Sequence, residues 1–159
     1  MEANRAAVMA EPTPSGHTQA EADNHRTAAE RRGDLLAAAR MAQACAYAPY
    51  SNFAVGAAVL VGDGGIYRGC NIENASFGLT VCAERVALFQ AVADGHLDIV
   101  AVAVVTSSPK LCKPCGACRQ VIAEFSQAGN PIAVLSSTLS GEGVLETITD
   151  LLPDTFTLL

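Results

Sequence analysis

Apolar residues in the first half of the chain follow a helical spacing and then an extended one. A helical stripe between residues 28 and 46 predicts the first helix. Its members are Leu35, Ala39, Met41, Ala42 and Cys45. Residues 54–62 (AVGAAVLVG) are typical of a buried strand, 62–65 (GDGG) of a hairpin turn, and 66–71 of the returning strand. The first half therefore predicts a helix followed by a β-hairpin.

The second half alternates short helical and extended segments. A β-branched run at 98–106 (DIVAVAVVT) predicts a strand that is covered on both faces. The full predicted order is an irregular loop at 72–81, a helix at 82–93, the strand at 98–106, a loop at 107–114, a helix at 115–128, a strand at 132–136, a short strand near 144–145 and a helical turn near 148–152. This order predicts an α/β fold, a three-layer sandwich in which helices flank a mixed β-sheet.

The N-terminal segment differs in composition from the rest. Residues 1–28 are polar and show no sustained apolar period, so they are predicted to be a disordered tail, and residues 29–159 a single domain. The tail lacks the apolar stretch of roughly 7–15 residues found in a secretory signal. No apolar run reaches the roughly 18 residues of a membrane span. We therefore expect a soluble, cytoplasmic protein with no membrane partner and with its six cysteines reduced.

The charge balance bears on the class of partner. The formal net charge is −6, and no basic stripe is present. Proteins bind long nucleic acids mostly through contacts from Lys and Arg to phosphate. The sequence therefore argues against a nucleic acid partner and favours a small neutral ligand.

Two short cysteine motifs carry the candidate chemistry. Cys82 is followed two residues later by Glu84, and Cys115 and Cys118 lie in the segment PCGAC. Three thiolates with one open position are a donor set that suits catalytic Zn²⁺. A glutamate beside such a site can move protons, and this combination is the signature of zinc nucleobase deaminases. We expect Arg85 and Arg119 to return positive charge to the metal site through hydrogen bonds to sulfur.

Three alternative roles for these cysteines stay open. A structural zinc site would need a fourth ligand, for which Cys70 or Cys112 is available. The spacing of Cys112, Cys115 and Cys118 also resembles part of a ferredoxin motif. A Cys-x-x-Cys redox pair is the third possibility.

Four short sequence motifs, which occur in a fixed order along the chain, extend the resemblance beyond the metal ligands. They are residues 47–56 (YAPYSNFAVG), 69–75 (GCNIENA), 82–85 (CAER) and 114–120 (PCGACRQ), followed by LLPDTF at 151–156. Together they resemble cytidine deaminases, specifically the small homotetrameric class with three cysteine ligands. The resemblance covers the chain from Leu35 to Phe156.

The resemblance implies a reaction and a role for each matching residue. Water activated by one Zn²⁺ per subunit would attack C4 of cytidine or deoxycytidine, a pyrimidine nucleoside, giving the uracil nucleoside and ammonia in pyrimidine salvage. The implied metal ligands are Cys82, Cys115 and Cys118, the proton shuttle is Glu84, and Arg85 compensates charge. The implied substrate contacts are Phe53, Asn71, Glu73 and Ala83, with Phe77 and Phe156 near the active sites of neighbouring subunits in a homotetramer.

Three positions depart from the usual residues of that family. Phe77 stands where Tyr is frequent, Gly78 where Pro is frequent, and Lys113 where Ser is common before Pro114. These departures bear on substrate affinity more than on reaction type. The competing functional hypotheses are deamination of another aminopyrimidine such as blasticidin S, deamination of single-stranded nucleic acid, and a non-catalytic zinc module.

Overall fold

A five-stranded mixed sheet organises residues 24–158, the part of the chain described by the computed structural model. The strands are β1 (Val55–Val61), β2 (Ile66–Cys70), β3 (Ile99–Thr106), β4 (Ala133–Thr138) and β5 (Gly143–Thr147). Their order across the sheet is β2-β1-β3-β4-β5. Only the central pair β3–β4 is parallel, and the other neighbours are antiparallel. The predicted hairpin between β1 and β2 is confirmed.

Helices cover both faces of the sheet. They are α1 (Asn24–Glu30), α2 (Arg32–Gln43), α3 (Ala83–Ala93), α4 (Gly116–Ala123) and α5 (Ile148–Leu151). One buried cluster joins α1 and α2 to the sheet, and another joins α3, α4 and α5 to it. Alternate residues of β3, such as Ala103 and Val104, belong to different clusters, so this strand is buried on both sides. The predicted three-layer sandwich is confirmed.

The boundaries at the N-terminus differ from those predicted. The predicted tail lies outside the described residues up to 23, but α1 already begins at Asn24, and Ala28 is fully buried. Asn24 is held by Asn130, whose side chain accepts from the Asn24 main-chain N–H at 3.0 Å. The predicted helix over 28–46 is divided at Arg31 and ends at Gln43. The contact between Asn24 and Asn130 joins residues 106 positions apart, which local spacing does not reveal.

The predicted helix 115–128 is too long. It ends at Ala123, and the next amides form shorter-range bonds, from Phe125 to the carbonyl of Ile122 and from Ser126 to that of Ala123. The Ser126 hydroxyl then accepts from the Ile132 main-chain N–H at 3.3 Å. This contact redirects the chain into β4.

None of the helices in the described part of the chain has the length and apolar character needed to cross a lipid bilayer.

A glycine sets the distance between α2 and β1. A Cβ at Gly56 would overlap the carbonyl oxygen of Ala39 and the main-chain nitrogen of Gln43. We expect Gly56→Ala to lower the free energy of unfolding by about 1–3 kcal/mol, because the helix must move off the sheet. Gly33→Ala is the control, since no described atom beyond the neighbouring residues and nearby backbone of its own helix lies within 4 Å of its added methyl group. Urea unfolding measures both, and equal stabilities would contradict this account of the packing.

Candidate active site

Three cysteine sulfurs converge near the ends of the strands β1 and β3. Cys82 immediately precedes α3, Cys115 immediately precedes α4, and Cys118 lies in the first turn of α4. Their Sγ atoms all lie within 4.8 Å of one another. Helix N-termini carry free N–H groups and a positive partial charge, which favour thiolates. The two motifs therefore form one cluster, as their composition predicted.

Two thiols of the cluster, those of Cys82 and Cys118, have pKa values shifted in opposite directions. Hydrogen bonding to Cys118 and then the Arg85 guanidinium lower the pKa of Cys82 to about 5, against the opposing effect of burial. The Arg85 Nη2 atom lies 3.6 Å from the Cys82 sulfur. Hydrogen bonding to Cys82, followed by burial, raises the pKa of Cys118. Without metal, Cys82 is thus a thiolate and Cys118 a thiol, so a bound cation must displace the Cys118 proton.

The donor set fits a zinc ion that retains an open coordination position. Among residues 24–158, these three sulfurs are the only group of three or more metal-ligating side chains brought together. The two candidate fourth ligands lie outside it, because the thiol of Cys70 donates to the carbonyl of Cys45 and that of Cys112 to the carbonyl of Lys110. The described cysteines form no disulfide. Three sulfur ligands and one vacant position are typical of a catalytic rather than a structural zinc site.

Glu84 lies beside the cluster in the first turn of α3 and is only 5% exposed. Burial, followed by the negative charge of Cys82, raises the pKa of its carboxyl group, although a main-chain hydrogen bond opposes the shift. A carboxyl group with a raised pKa can both accept and release protons near neutral pH. Its position and environment therefore suit a proton shuttle.

A cavity of about 190 Å³ opens onto the cluster. It is lined by Phe53, Val55, Asn71, Thr80, Cys82, Ala83, Glu84, Val104, Thr106, Cys112, Lys113 and Cys115. The structure thus brings three of the four predicted substrate contacts, Phe53, Asn71 and Ala83, to the metal cluster. Sequence reasoning missed Val104 and Thr106, although both lie on the same face of the predicted strand at a period of two.

Asn71 holds the backbone of the segment that enters β1. Its amide nitrogen donates to the carbonyl of Phe53 at 2.8 Å, and its amide oxygen accepts from the N–H of Val55 at 2.9 Å. The side chain fixes the position of Phe53 at the cavity wall. One donor hydrogen and one acceptor lone pair of the amide remain for another partner.

Glu73 lines a second cavity, of about 340 Å³, rather than the first. Thr80 lines both cavities, so the two adjoin. The Glu73 carboxylate accepts from the hydroxyl of Ser51 and from the main-chain N–H groups of Tyr50 and Ser51. The hydrogen bond from the Ser51 hydroxyl makes the largest contribution to lowering the pKa of Glu73. The Glu73 carboxyl group is therefore an anion at neutral pH.

Phe77 and Phe156 lie on the surface, 74% and 68% exposed. Phe77 lines the second cavity and packs edge-on against Tyr50, with 5.8 Å between ring centroids. Phe156 lines neither cavity. Neither side chain reaches the cysteine cluster within its own chain.

The two arginines next to the metal site behave differently. Arg85 donates to the Cys82 sulfur, as expected. The expectation for Arg119 is wrong, because its guanidinium donates to the carbonyls of Pro114 at 2.8 Å and Leu151 at 2.9 Å. Arg119 ties α4 to the loop before it and to α5, and these carbonyls take up the donors that were expected to reach sulfur.

Comparison with known proteins agrees with this geometry. A family model described as the cytidine and deoxycytidylate deaminase zinc-binding region matches residues 29–132. The cytidine deaminase of Halalkalibacterium halodurans is 50% identical over 123 residues, which cover 77% of this chain and 92% of the relative. The cytidine deaminase of Sporosarcina psychrophila is 48% identical over 122 residues, covering 77% and 88%.

Solved structures show the same fold. The crystal structure of cytidine deaminase from Burkholderia pseudomallei aligns with a TM-score of 0.72 at 46% identity, covering 78% of this chain and 98% of that one. The cytidine deaminase of Mycobacterium tuberculosis aligns with a TM-score of 0.68 at 40% identity, covering 80% and 98%.

Removal of one sulfur tests the cluster as a metal site. We expect Cys118→Ser to weaken zinc retention by more than the roughly 10–100-fold that loss of an outer-shell partner causes, because a ligand itself is lost. Cys45→Ser is the control, since that thiol is exposed and outside the cluster. Zinc content after dialysis against a graded chelator measures both, and equal retention would contradict the assignment.

Removal of the neighbouring guanidinium tests the charge balance. Arg85→Gln takes away a positive charge that helps to lower the Cys82 pKa, so that pKa rises towards its ordinary value of about 8.5. Protons then compete with zinc at higher pH, and we expect the pH midpoint of zinc retention to move upward. Arg68→Gln is the control, because Arg68 contacts the sulfur of Met41 instead. A midpoint that does not differ from wild type would contradict the role of Arg85.

Proposed function

We propose that this chain, which belongs to the cytidine deaminase family, catalyses the zinc-dependent hydrolytic deamination of cytidine and deoxycytidine in pyrimidine salvage. The products would be uridine or deoxyuridine and ammonia. One observation carries the proposal: the buried Glu84 carboxyl lines the same cavity as Cys82 and Cys115. That cavity offers a metal site, a proton carrier and a wall for a small planar ring.

The metal would be one Zn²⁺ per subunit, held by Cys82, Cys115 and Cys118. Zinc bound there supplies the Lewis acidity that lets water act as a nucleophile near neutral pH. Three thiolates outweigh the charge of the ion, and the Arg85 guanidinium beside Cys82 offsets part of the excess. The family match to a zinc-binding region supports the choice of metal.

Glu84 would move the protons of the reaction. It takes a proton from the attacking water and delivers it to ring N3 as oxygen bonds to C4. It then carries the second proton of the water to the amino group at C4, which leaves as ammonia when the C–N bond breaks. Its raised pKa suits a group that must be protonated and deprotonated in one cycle.

The remaining cavity residues would orient the nucleoside. The Phe53 ring packs against the pyrimidine, and Ala83 contacts the base from the start of α3. Asn71 and Glu73 would bind ribose hydroxyls, since each retains hydrogen-bonding capacity beyond its present partners. The adjoining second cavity, which Glu73 lines, gives the sugar a place next to the base.

The exposed aromatic residues support assembly into a homotetramer. The exposed Phe77 ring packs against the exposed Tyr50 ring, and joined exposed apolar surface of this kind marks interaction sites. Phe156 is also open to solvent in the single chain. In the assembly they would lie near the active sites of neighbouring subunits. The net charge of −6 supports a small neutral substrate rather than nucleic acid. The reaction would take place in the cytoplasm.

Turnover of defined substrates tests the proposal. We expect zinc-loaded protein to convert cytidine to uridine, followed by ultraviolet absorbance, with a higher kcat/KM than for cytosine or blasticidin S. Glu84→Gln should retain zinc but lower kcat by about 10²–10⁴-fold, because it removes the proton carrier. Glu124→Gln, which changes a carboxylate outside the cavity, is the matched control.

Three results would contradict the proposal. Near-normal kcat in zinc-loaded Glu84→Gln protein would remove the role of Glu84. A preference for blasticidin S would assign another substrate. Full zinc loading without turnover of any of these compounds would favour a non-catalytic module.

A further inference from the structure

The loop between β3 and α4 delivers the ligand Cys115 and is anchored mainly at its two ends. At its start, the Ser107 N–H donates to the carbonyl of Ala54 at 2.9 Å, and the Ser107 hydroxyl accepts from the Ala54 N–H. At its end, Arg119 donates to the carbonyl of Pro114. Between these anchors the loop turns on itself through Ser108, whose hydroxyl accepts from the N–H of Lys110.

One side-chain contact joins this loop to the far edge of the sheet. The Lys113 ammonium lies 2.6 Å from the Glu146 carboxylate on edge strand β5. Glu146 stands opposite Val134 in the register of β4 and β5, so its backbone is fixed by the sheet. The contact therefore spans from an irregular segment to a rigid one.

The surroundings of the pair make it more than a surface contact. The side chains of Lys113 and Glu146 are 39% and 25% exposed, and the second carboxylate oxygen of Glu146 is buried with no hydrogen-bond partner among residues 24–158. Without Lys113, a half-buried carboxylate would lack its neutralising charge, which is costly. Solvent screening of the exposed part limits the strength of the pair to that of a partly exposed bridge.

Lys113 is also part of the cavity wall. It lines the 190 Å³ cavity together with Glu84, Cys115 and Cys112. Lys113 precedes Cys115 by two residues, so a shift of the lysine backbone moves the ligand sulfur and changes the cavity at the same time. The position of Lys113 is thus coupled to both the metal and the substrate space.

We infer that Lys113 and Glu146 form a clasp that positions Cys115 and closes the cavity wall. Both are positioning residues, since they act through the loop and not on reacting atoms. The consequence of the clasp for catalysis rests on the proposed function, but the clasp itself can be measured without turnover.

Cys112 provides a reporter of the loop. Three of the six cysteines form the metal cluster. In a Cys45→Ser/Cys70→Ser background, Cys112 is then the one thiol outside that cluster. Its rate of alkylation in the zinc-loaded protein measures how often the loop opens. The rate of zinc release to a chelator measures how well Cys115 is held.

Four variants in that background test the clasp. We expect Lys113→Ala and Glu146→Gln each to increase zinc release and Cys112 alkylation by about threefold to fivefold, the effect of losing one partly exposed ion pair. The charge-reversed double variant, Lys113→Glu with Glu146→Lys, should recover most of both losses. Lys110→Ala is the control, because it removes an ammonium from the same loop without breaking the pair.

The outcomes distinguish failure of the proposed clasp from failure of the proposed function. Three results would each overturn the clasp. In the first, the single variants match wild type in both rates. In the second, Lys110→Ala has an effect of equal size, and in the third, the double variant is no better than the single variants. Thermal unfolding of each variant shows whether a change is confined to the loop. Failure of wild-type protein to deaminate cytidine would instead overturn the proposed function and leave these two rates interpretable.

Discussion

Two helices begin close together beside the ends of strands β1 and β3, and the rest of the site depends on this arrangement. Helix α3 packs so closely on β2 that a side chain at Gly69 would overlap the backbone of Ala83 and Ala87. Helix α4 lies in the crossover that connects the parallel strands β3 and β4. The close packing sets the N-terminus that carries Cys82 and Glu84, and the crossover sets the one that carries Cys115 and Cys118. The sheet thereby holds four reactive side chains close together.

The charges within this arrangement suit a bound cation. The cluster already contains a thiolate at Cys82 and a thiol at Cys118, and the nearby Arg85 supplies positive charge. Burial raises the pKa of the Glu84 carboxyl, which lines the same cavity as Cys82 and Cys115. The same burial that raises its pKa would destabilise an isolated carboxylate, so the position is costly to the fold and useful to a reaction.

Much of this arrangement could be predicted from the sequence, for identifiable reasons. The metal-binding and proton-transfer roles could be predicted from residue type and spacing at Cys82, Glu84, Cys115 and Cys118. The burial of strand β3 could be predicted from its run of β-branched residues. What could not be predicted depends on distant contacts. Asn24 in α1 is held by the distant Asn130, and one partner of Arg119 is a carbonyl of α5. Glu73 lies in an adjoining cavity because Ser51 and the backbone before β1 capture its carboxylate.

The local geometry of the metal tests the account most directly. X-ray absorption at the zinc edge of the loaded protein should show three sulfur ligands at about 2.3 Å and one oxygen ligand at about 2.0–2.2 Å. That result would leave one coordination position for a ligand that is not sulfur, as a catalytic site requires. Four sulfur ligands, or a fourth ligand supplied by another protein side chain, would make the site structural and contradict the central claim.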